Sequence, residues 1–264
     1  MKLFSILGNP VSHSISPKMH NTALNGLHIN GCYIRTCIED GSTLLNKFHS
    51  LKLDGANVTV PHKEFAYELC DELDSFAKQI GAVNTLVKKN NKVYGYNTDA
   101  PGFYKAIESF GSIKTALILG AGGTAKAIAT ILKEKNINVT VLNRSQNRLH
   151  YFYENGFNAY SWDNFKPSSY ELIINTTSAG LSDESLPLDQ DLLNTLMQKS
   201  QFAFDVIYNK KTPFLQKAAS NNLQYKDGAD MLLYQGVLAF NLFFDNKLDN
   251  DKITKYMKKT FKTK

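Results

Sequence analysis

Thr115-Ala116-Leu117-Ile118-Leu119-Gly120-Ala121-Gly122-Gly123-Thr124-Ala125 is the stretch that decides the fold. Its first five residues make a continuous apolar run, as expected of a strand buried on both faces in a parallel sheet. A glycine turn follows, then a helical segment to about residue 134. The order G-x-G-x-x-[GA] is weak alone, but between a strand and a helix it describes a dinucleotide-binding turn. Gly120 permits the tight turn, Gly122 lets backbone approach a pyrophosphate, and Ala125 keeps helix and strand close. With Ala121, Gly123 and Thr124 they form the expected phosphate cradle at a helix N-terminus, which attracts anions.

The next strand, at 139–142, ends in Asn143-Arg144-Ser145. An NAD enzyme usually carries Asp or Glu there for the ribose hydroxyl, yet no acidic residue lies between 135 and 153. Arg144 offers instead a guanidinium fork suited to a 2′-phosphate, with the Ser145 hydroxyl beside it and Arg148 one turn on. The cofactor expected is therefore NADP.

Outward from this unit, strands and helices alternate. Residues 2–7 read as a first strand ended by Gly8-Asn9-Pro10, and Ser16-Pro17 as an N-cap and first-turn proline opening a helix to about Gly26. A strand at 31–38, a helix at 43–51 with Leu44, Leu45, Phe48 and Leu51 on one face, and a strand at 55–60 follow. Helical segments are expected at 63–70 and 73–80. Runs at 83–88 and 92–96, separated by Lys89-Asn90-Asn91, suggest a hairpin. A helix at 101–110 closes this half, and the pattern restarts at Gly111-Ser112. Later strands are expected at 171–175 and 202–206. A helix at about 231–244 is apolar on most faces, with Gln235 and Asn241 as polar exceptions, so it should be buried, packing back on the first half.

The fold class expected is α/β: an N-terminal α/β substrate domain and a Rossmann-type, doubly wound parallel-sheet domain for NADP, with a cleft between them. The division predicted is a substrate-binding and catalytic domain at 1–100, completed by C-terminal helices at about 231–264, and a cofactor domain at 101–230.

Bulk properties narrow the function. The 264 residues carry a net charge of +6. Six lysines and no acidic residue lie between 252 and 264, so the excess sits in a basic tail read as a solvated helix or frayed end. No nucleic-acid partner is expected. Three cysteines, Cys32, Cys37 and Cys70, lack metal-ligand spacing and suit a reducing cytoplasm. No apolar run approaches the ~20 residues that span a bilayer, and the N-terminal apolar run is too short for a signal peptide. No metal is expected either. His13 and His20 have no Cys or carboxylate cluster beside them, and read as a loop-ordering residue and one that caps or packs a helix.

The first half holds a second informative stretch, Asn57-Val58-Thr59-Val60-Pro61-His62-Lys63. It reads as a β-branched strand stopped by proline, with Val58 and Val60 on one face, Asn57 and Thr59 on the other, and Lys63 at the corner beyond. By itself it is equally a buried strand followed by a solvated lysine. Residues 8–17, Asn84 and Asn97-Thr98-Asp99 add neutral hydroxyls, amides and one carboxylate, a composition suited to a small polyhydroxylated substrate.

Taken together the motifs resemble the shikimate dehydrogenase family. The matches are Gly8-x-Pro10-Val11-x-His13-Ser14-x-Ser16-Pro17-x-x-His20-Asn21, then residues 57–63, Gly81-Ala82-Val83-Asn84-Thr85 and Gly95-Tyr96-Asn97-Thr98-Asp99. Gly120-Ala121-Gly122-Gly123, Asn143-Arg144-Ser145, Asn175-Thr176-Thr177-Ser178-Ala179-Gly180, Asp205-Val206-Ile207-Tyr208-Asn209, Thr212-Pro213 and Gly228-x-x-Met231-Leu232-x-x-Gln235 continue in family order. The resemblance implies NADPH-dependent reduction of 3-dehydroshikimate to shikimate on the route to chorismate and the aromatic amino acids, by a monomer or homodimer whose partner is that small molecule. It implies that Ser14 and Ser16, helped by Tyr208, bind the substrate carboxylate. Asn57, Thr59, Lys63, Asn84, Asp99 and Gln235 would hold the ring oxygens, while Thr176, Thr177, Ile207, Gly228 and Met231 join the cofactor site. Lys63, the only cationic side chain in the substrate motifs, is the expected general acid/base, with Asp99 as its partner. The chain departs from the usual family pattern at Asp230 (commonly glycine), Ser145 (commonly threonine) and Thr176 (commonly alanine). A broader quinate/shikimate dehydrogenase is the nearest rival, but it usually prefers an acidic residue near position 144. A non-catalytic NADP-binding regulator is the other, against which intact Lys63 and Asp99 argue.

Overall fold

The computed structural model describes residues 1–261. The chain divides into two compact units, one formed by Met1–Gly102 with the segment from Leu233 onward, the other by Phe103–Leu232.

The first unit is built on a six-stranded mixed sheet. Its strands are β1 (Lys2–Gly8), β2 (Gly31–Cys37), β3 (Gly55–Val58), β4 (Glu72–Leu73), β5 (Thr85–Lys89) and β6 (Lys92–Tyr96), in the order β2-β1-β3-β5-β6-β4. β1 pairs in parallel with β2 and β3, whereas β5 pairs antiparallel with β3 and β6. The β5–β6 hairpin turns through Asn90 and Asn91, both at positive φ (49° and 62°). That is the backbone demanded by a two-residue hairpin turn with matching twist, and Asn tolerates it.

Helices cover both faces. α1 (Ser16–Gly26), α2 (Leu44–Ser50), α3 (Lys63–Leu69), α4 (Ser75–Ile80) and α5 (Asp99–Ile107) come from the N-terminal segment. One core gathers Phe4, Met19, Leu24, Tyr33, Phe240, Phe243 and Met257, and the other Leu7, Leu44, Phe48, Leu53, Val58 and Leu86. The Phe4 and Phe243 rings stack at 4.7 Å, and a Cβ on Gly55 would collide with Phe243. Glycine there lets the C-terminal helix approach the strand backbone.

The second unit has a wholly parallel sheet of β7 (Thr115–Leu119), β8 (Asn138–Asn143), β9 (Asn158–Ser161), β10 (Leu172–Asn175), β11 (Phe202–Asp205) and β12 (Gln224–Lys226). Its order is β12-β11-β10-β7-β8-β9. The winding reverses between β7 and β10, and such switch points are where open α/β sheets bind ligands. Its helices are α6 (Gly123–Glu134), α7 (His150–Glu154), α8 (Gln190–Met197) and α9 (Pro213–Ser220). The chain ends in α10 (Ala229–Leu242) and α11 (Asn250–Met257). The unit boundaries fall inside α5 and α10.

Several expectations are corrected. Ser16 does not cap α1: it is the first helical residue, Ile15 occupies the cap, and the Ser14 hydroxyl accepts the Ser16 N–H at 3.3 Å. β3 stops at Val58, and Val60 is 66% exposed rather than sharing the buried face of Val58. The chain has already left the ladder there, since the Val60 carbonyl accepts from Asn9 N–H and His62 N–H turns back to Thr59. β4 and β12 escape pattern reading because strands of two or three residues show too little periodicity, and β9 lacks the continuous apolar run that marks the four-residue strands β10 and β11. α5 starts at Asp99, and its predicted last turn is a 3-10 turn over Glu108–Phe110. In the basic tail α11 and a 3-10 turn run to Phe261; Lys262 and Lys264 lie outside the described residues. Among the described residues no helix is long and apolar enough to cross a membrane.

His20 is wholly buried and stacked on Tyr33 at 4.2 Å. Neither ring nitrogen has a hydrogen-bond partner among the described residues, and burial pulls its pKa down to about 3. The unfolded chain, with an ordinary histidine pKa near 6.5, takes up a proton that the folded chain refuses, so stability falls as pH drops from about 6.5 toward 3. In urea unfolding at pH 7.5 and pH 5, the native protein should lose about 2 kcal/mol more than a His20→Phe variant. Parallel losses would show that His20 protonates freely in the folded state.

Candidate active site

In the first unit four of the sequence-predicted polar residues, Lys63, Asp99, Asn84 and Asn57, converge through one hydrogen-bonded network. Lys63 opens α3, and its ammonium donates to Asp99 Oδ2 at 2.5 Å, both side chains being largely shielded. Asp99 opens α5, and its other oxygen accepts from Asn84 Nδ2 at 2.8 Å. The second Asn84 N–H goes to Thr98 Oγ1, while Asn84 Oδ1 accepts the Thr98 backbone N–H at 2.8 Å. Asn97 Oδ1 accepts the Asp99 N–H at 3.1 Å, which ties down the start of α5. Lys63 lies 36 residues before Asp99, yet its carbonyl accepts the Val83 N–H at 2.9 Å, joining the start of α3 to the approach of β5. Both Asp99 oxygens therefore have partners, whereas Asp99 is the only partner of the Lys63 ammonium among the described residues. An ammonium has three donors, so two remain for a ligand.

Asn57 is placed by residues that sequence reasoning missed. Tyr33 donates its hydroxyl to Asn57 Oδ1 at 2.8 Å, and Asn57 Nδ2 donates to the Asn84 carbonyl and Thr85 Oγ1. Tyr33 and Thr85 lie on other strands, so only pairing in the sheet brings them to Asn57. Burial pushes the Tyr33 phenol well above its usual pKa and keeps it a donor. Thr59 sits over Gly8, where a Cβ would overlap its methyl. Ser14 and Ser16 are buried, and Arg35 donates to the Ser14 carbonyl at 2.6 and 3.2 Å. That arginine, on β2, adds positive charge beside the serines. Gln235 of α10 is buried against Gly102, whose missing Cβ leaves room for the Gln235 backbone. Tyr208 belongs to the second unit, half-buried, its phenol pKa raised by burial. His13 is exposed, and His62 is buried with Nε2 2.6 Å from the Ile38 carbonyl. No cluster of three or more His, Cys, Asp or Glu that could hold a metal ion occurs among the described residues.

In the second unit a cavity of about 500 Å³ opens at the ends of β7, β8 and β10. Gly120, Ala121, Gly122, Asn143, Arg144, Arg148, Thr176 and Thr177 line it, as do Ser178 and Ala179 of the motif at 175–180 and Trp162, Asp183 and residues 185–187, which the sequence reading did not pick out. Gly120 adopts φ +106°, and a Cβ there would lie 2.7 Å from Thr176 Oγ1. Thr176 in turn donates to the Leu119 carbonyl at 2.7 Å, so it buttresses the turn. Around Gly122 and Gly123 the space where a Cβ would stand is open. Gly122 caps α6 without any side chain satisfying the first N–H groups. That leaves a cradle for an anion at the helix N-terminus. Arg144 and Arg148 are exposed, and neither is paired with a carboxylate among the described residues. The Asp183 carboxylate accepts from Gly180 N–H, Ser185 N–H and Ser185 Oγ, bonds that hold its pKa low. These residues fit a phosphorylated dinucleotide.

The remaining predicted cofactor residues stand outside this cavity. Thr124 and Ala125 belong to the first turn of α6 after Gly123. The Ser145 carbonyl accepts from Asn143 Nδ2 at 2.8 Å, so Ser145 shapes the bend. Ile207 and Gly228 are bonded through Gly228 N–H at 3.0 Å, and a Cβ on Gly228 would overlap the Val206 carbonyl. Close backbone approach is thus met at Gly228. Asp230 turns its carboxylate to Lys226 at 2.8 Å, and Met231 is buried beside it on α10. Beneath this loop Asp205 is fully buried and receives Thr212 Oγ1 (2.6 Å), Ile207 N–H (3.0 Å) and Asn175 Nδ2 (3.2 Å). Burial raises its pKa against those three bonds.

The chain is similar to known proteins over nearly its whole length. Residues 6–86 match the family described as shikimate dehydrogenase substrate binding domain, and residues 105–181 match the shikimate / quinate 5-dehydrogenase family. A shikimate dehydrogenase (NADP(+)) of Helicobacter hepaticus is 46% identical over 252 residues, covering 95% of this chain and 94% of its own. The enzyme of the same name from Helicobacter pylori strain P12 is 40% identical over 99% of both chains. Among solved structures, shikimate 5-dehydrogenase of Thermus thermophilus in complex with NADP(H) and shikimate superposes with TM-score 0.87 at 34% identity, over 98% of this chain and 100% of its own.

Gly120→Ala should destabilise the second unit by roughly 1–2 kcal/mol from left-handed strain, more if Thr176 cannot yield, and should weaken dinucleotide binding. Urea unfolding and a binding titration read both. An unchanged midpoint with unchanged affinity would mean that the turn tolerates a Cβ.

Proposed function

The chain belongs to the shikimate dehydrogenase family, and we propose how its residues divide the work of its reaction, the NADPH-dependent, reversible reduction of 3-dehydroshikimate to shikimate. The observation that carries the proposal is the Lys63–Asp99–Asn84 chain, in which the ammonium is held at 2.5 Å by a carboxylate that is itself fixed by an amide.

The first unit holds the substrate. Ser14 and Ser16 bind its carboxylate beside the charge of Arg35, and Tyr208 assists. Asn57 uses both N–H donors inside the protein, so it meets the substrate as an acceptor through the free lone pair of Oδ1, with a substrate hydroxyl donating. Asn84 likewise uses both donors internally, and its Oδ1 already accepts from the Thr98 N–H and the Thr85 hydroxyl, so it serves the substrate by fixing the Asp99 carboxylate that it holds. Thr59 and Gln235 complete the set of groups around the ring oxygens. A site built to read hydroxyls rejects analogues that lack them, because its buried polar groups are then left unpaired.

NADP(H), when bound, supplies or accepts the hydride at the substrate carbon. As negative charge develops on the carbonyl oxygen, Lys63 donates a proton from Nζ to that oxygen, and it takes the proton back in the reverse direction. Asp99 aims the ammonium and balances its charge. The glycine turn and the N-terminus of α6 take the pyrophosphate, while Asn143, Arg144, Ser145 and Arg148 take the adenosine 2′-phosphate. Thr176, Thr177, Ile207, Gly228 and Met231 line the rest of the cofactor's path. The three cysteines are unpaired, which supports a reducing cytoplasmic setting.

Purified protein should form NADPH from NADP and shikimate, much more slowly from quinate or with NAD. Lys63→Ala should lower kcat by at least about 100-fold, within the range of general acid–base assistance, while NADPH affinity stays intact. A raised KM with kcat retained would make Lys63 a binding group only. Arg144→Ala should weaken NADPH roughly ten- to hundred-fold, given about 1.5–3 kcal/mol for charge-assisted hydrogen bonds, and leave NADH almost unchanged. Equal losses for both cofactors would remove Arg144 from the 2′-phosphate site.

A further inference from the structure

The chain has a single tryptophan, and it stands on the wall of the cofactor cavity. Trp162 follows β9 directly, in a 3-10 turn over Trp162–Asn164. It is 38% exposed. An indole is the largest apolar surface a chain can bury, so leaving this much of it in solvent at a cavity mouth forgoes hydrophobic stabilisation. No side-chain hydrogen bond, ring stack or cation contact engages it among the described residues. Its free surface and the cavity therefore belong together.

The sheet says which part of a ligand would meet it. From the switch point outward the order is β7, β8, β9. The glycine turn closes β7, Asn143 and Arg144 close β8, and Trp162 closes β9. A dinucleotide whose pyrophosphate rests on the first and whose 2′-phosphate rests on the second has one more rigid group on that ribose, its purine base. The third position offers an aromatic face. Resting on the cofactor placement above, we propose that Trp162 stacks against the adenine of NADP(H) and is a binding residue for the adenosine half of the cofactor. The 2′-phosphate contacts fix the ribose, and the indole captures the base that the ribose presents, so phosphate and base recognition reinforce each other within one cavity.

Because Trp162 is the sole tryptophan, its emission reports on this contact without labelling. Adenosine 2′,5′-bisphosphate, which carries the base and 2′-phosphate but no nicotinamide, should quench that emission in the native protein. Trp162→Ala should weaken both this probe and NADPH by roughly 5- to 100-fold, the range for loss of one base–aromatic stack. Trp162→Phe should restore most of the loss. Reduced nicotinamide mononucleotide, which lacks the adenosine, should bind all three proteins equally, and KM for shikimate at saturating NADP should not move. Native affinity in Trp162→Ala, or no quenching on saturation with the probe, would overturn the stacking while leaving the cofactor site standing. Failure of Arg144→Ala to weaken the probe would overturn the placement of the cofactor and the stacking with it. Should the alanine variant melt early, quenching in the native protein and the affinity of the phenylalanine variant decide the matter.

Discussion

The contact on which the rest of the proposed substrate site depends is the 2.5 Å ion pair between Lys63 and Asp99. An ammonium taken out of water is costly unless a counter-charge compensates it, and a carboxylate is costly unless each oxygen has a partner. Asp99 meets both conditions with Lys63 on one oxygen and Asn84 on the other. Its backbone is held by Asn97. Both charged residues open helices, and the helix starts act as fixed brackets that set the distance between them.

From that pair the network spreads inward to Asn84, Thr85, Thr98, Asn57 and Tyr33. These groups are buried, and each has a partner. A buried polar network of this kind is rigid when complete and damaging when one member is lost. Rigidity is what a hydroxyl-reading site requires, because selectivity comes from donors and acceptors that cannot swing to repair a mismatch. The large cores on either side of the sheet, built on Phe4, Phe240 and Phe243 and on Leu7, Phe48 and Leu86, supply the stability that lets these strand ends remain polar.

The second unit solves a different problem with backbone. Glycines at 120, 122 and 123 keep side chains off the turn, and the start of α6 leaves its first N–H groups without a side-chain cap. At the periphery of the cavity stand two guanidinium groups without a carboxylate partner and one uncovered indole, among the described residues. Beneath the neighbouring loop, buried Asp205 acts as a hub whose three donors hold residues 205–212 in shape.

Much of this was legible in the chain. The apolar strand before Gly120 and the helix after it specify a parallel sheet with a phosphate-binding turn, because local sterics alone require glycine and a buried strand there. The absence of an acidic residue after β8 identifies NADP, since charge type at one position decides that preference. Asn90-Asn91 foretold the hairpin for the same local reason. What the sequence could not reveal were relations between distant residues. Tyr33 orients Asn57, Arg35 grips the Ser14 carbonyl, and Trp162 reaches the cavity from the turn after β9, a strand without a continuous apolar run. Ser16 looked like a cap and is helical, and Val60 looked buried and is exposed, because neighbouring backbone rather than side-chain pattern decides both. Local conformation and residue chemistry are written along the chain. Which atoms share a hydrogen bond is decided only when strands pair and helices pack, since that free energy depends on residues tens of positions apart.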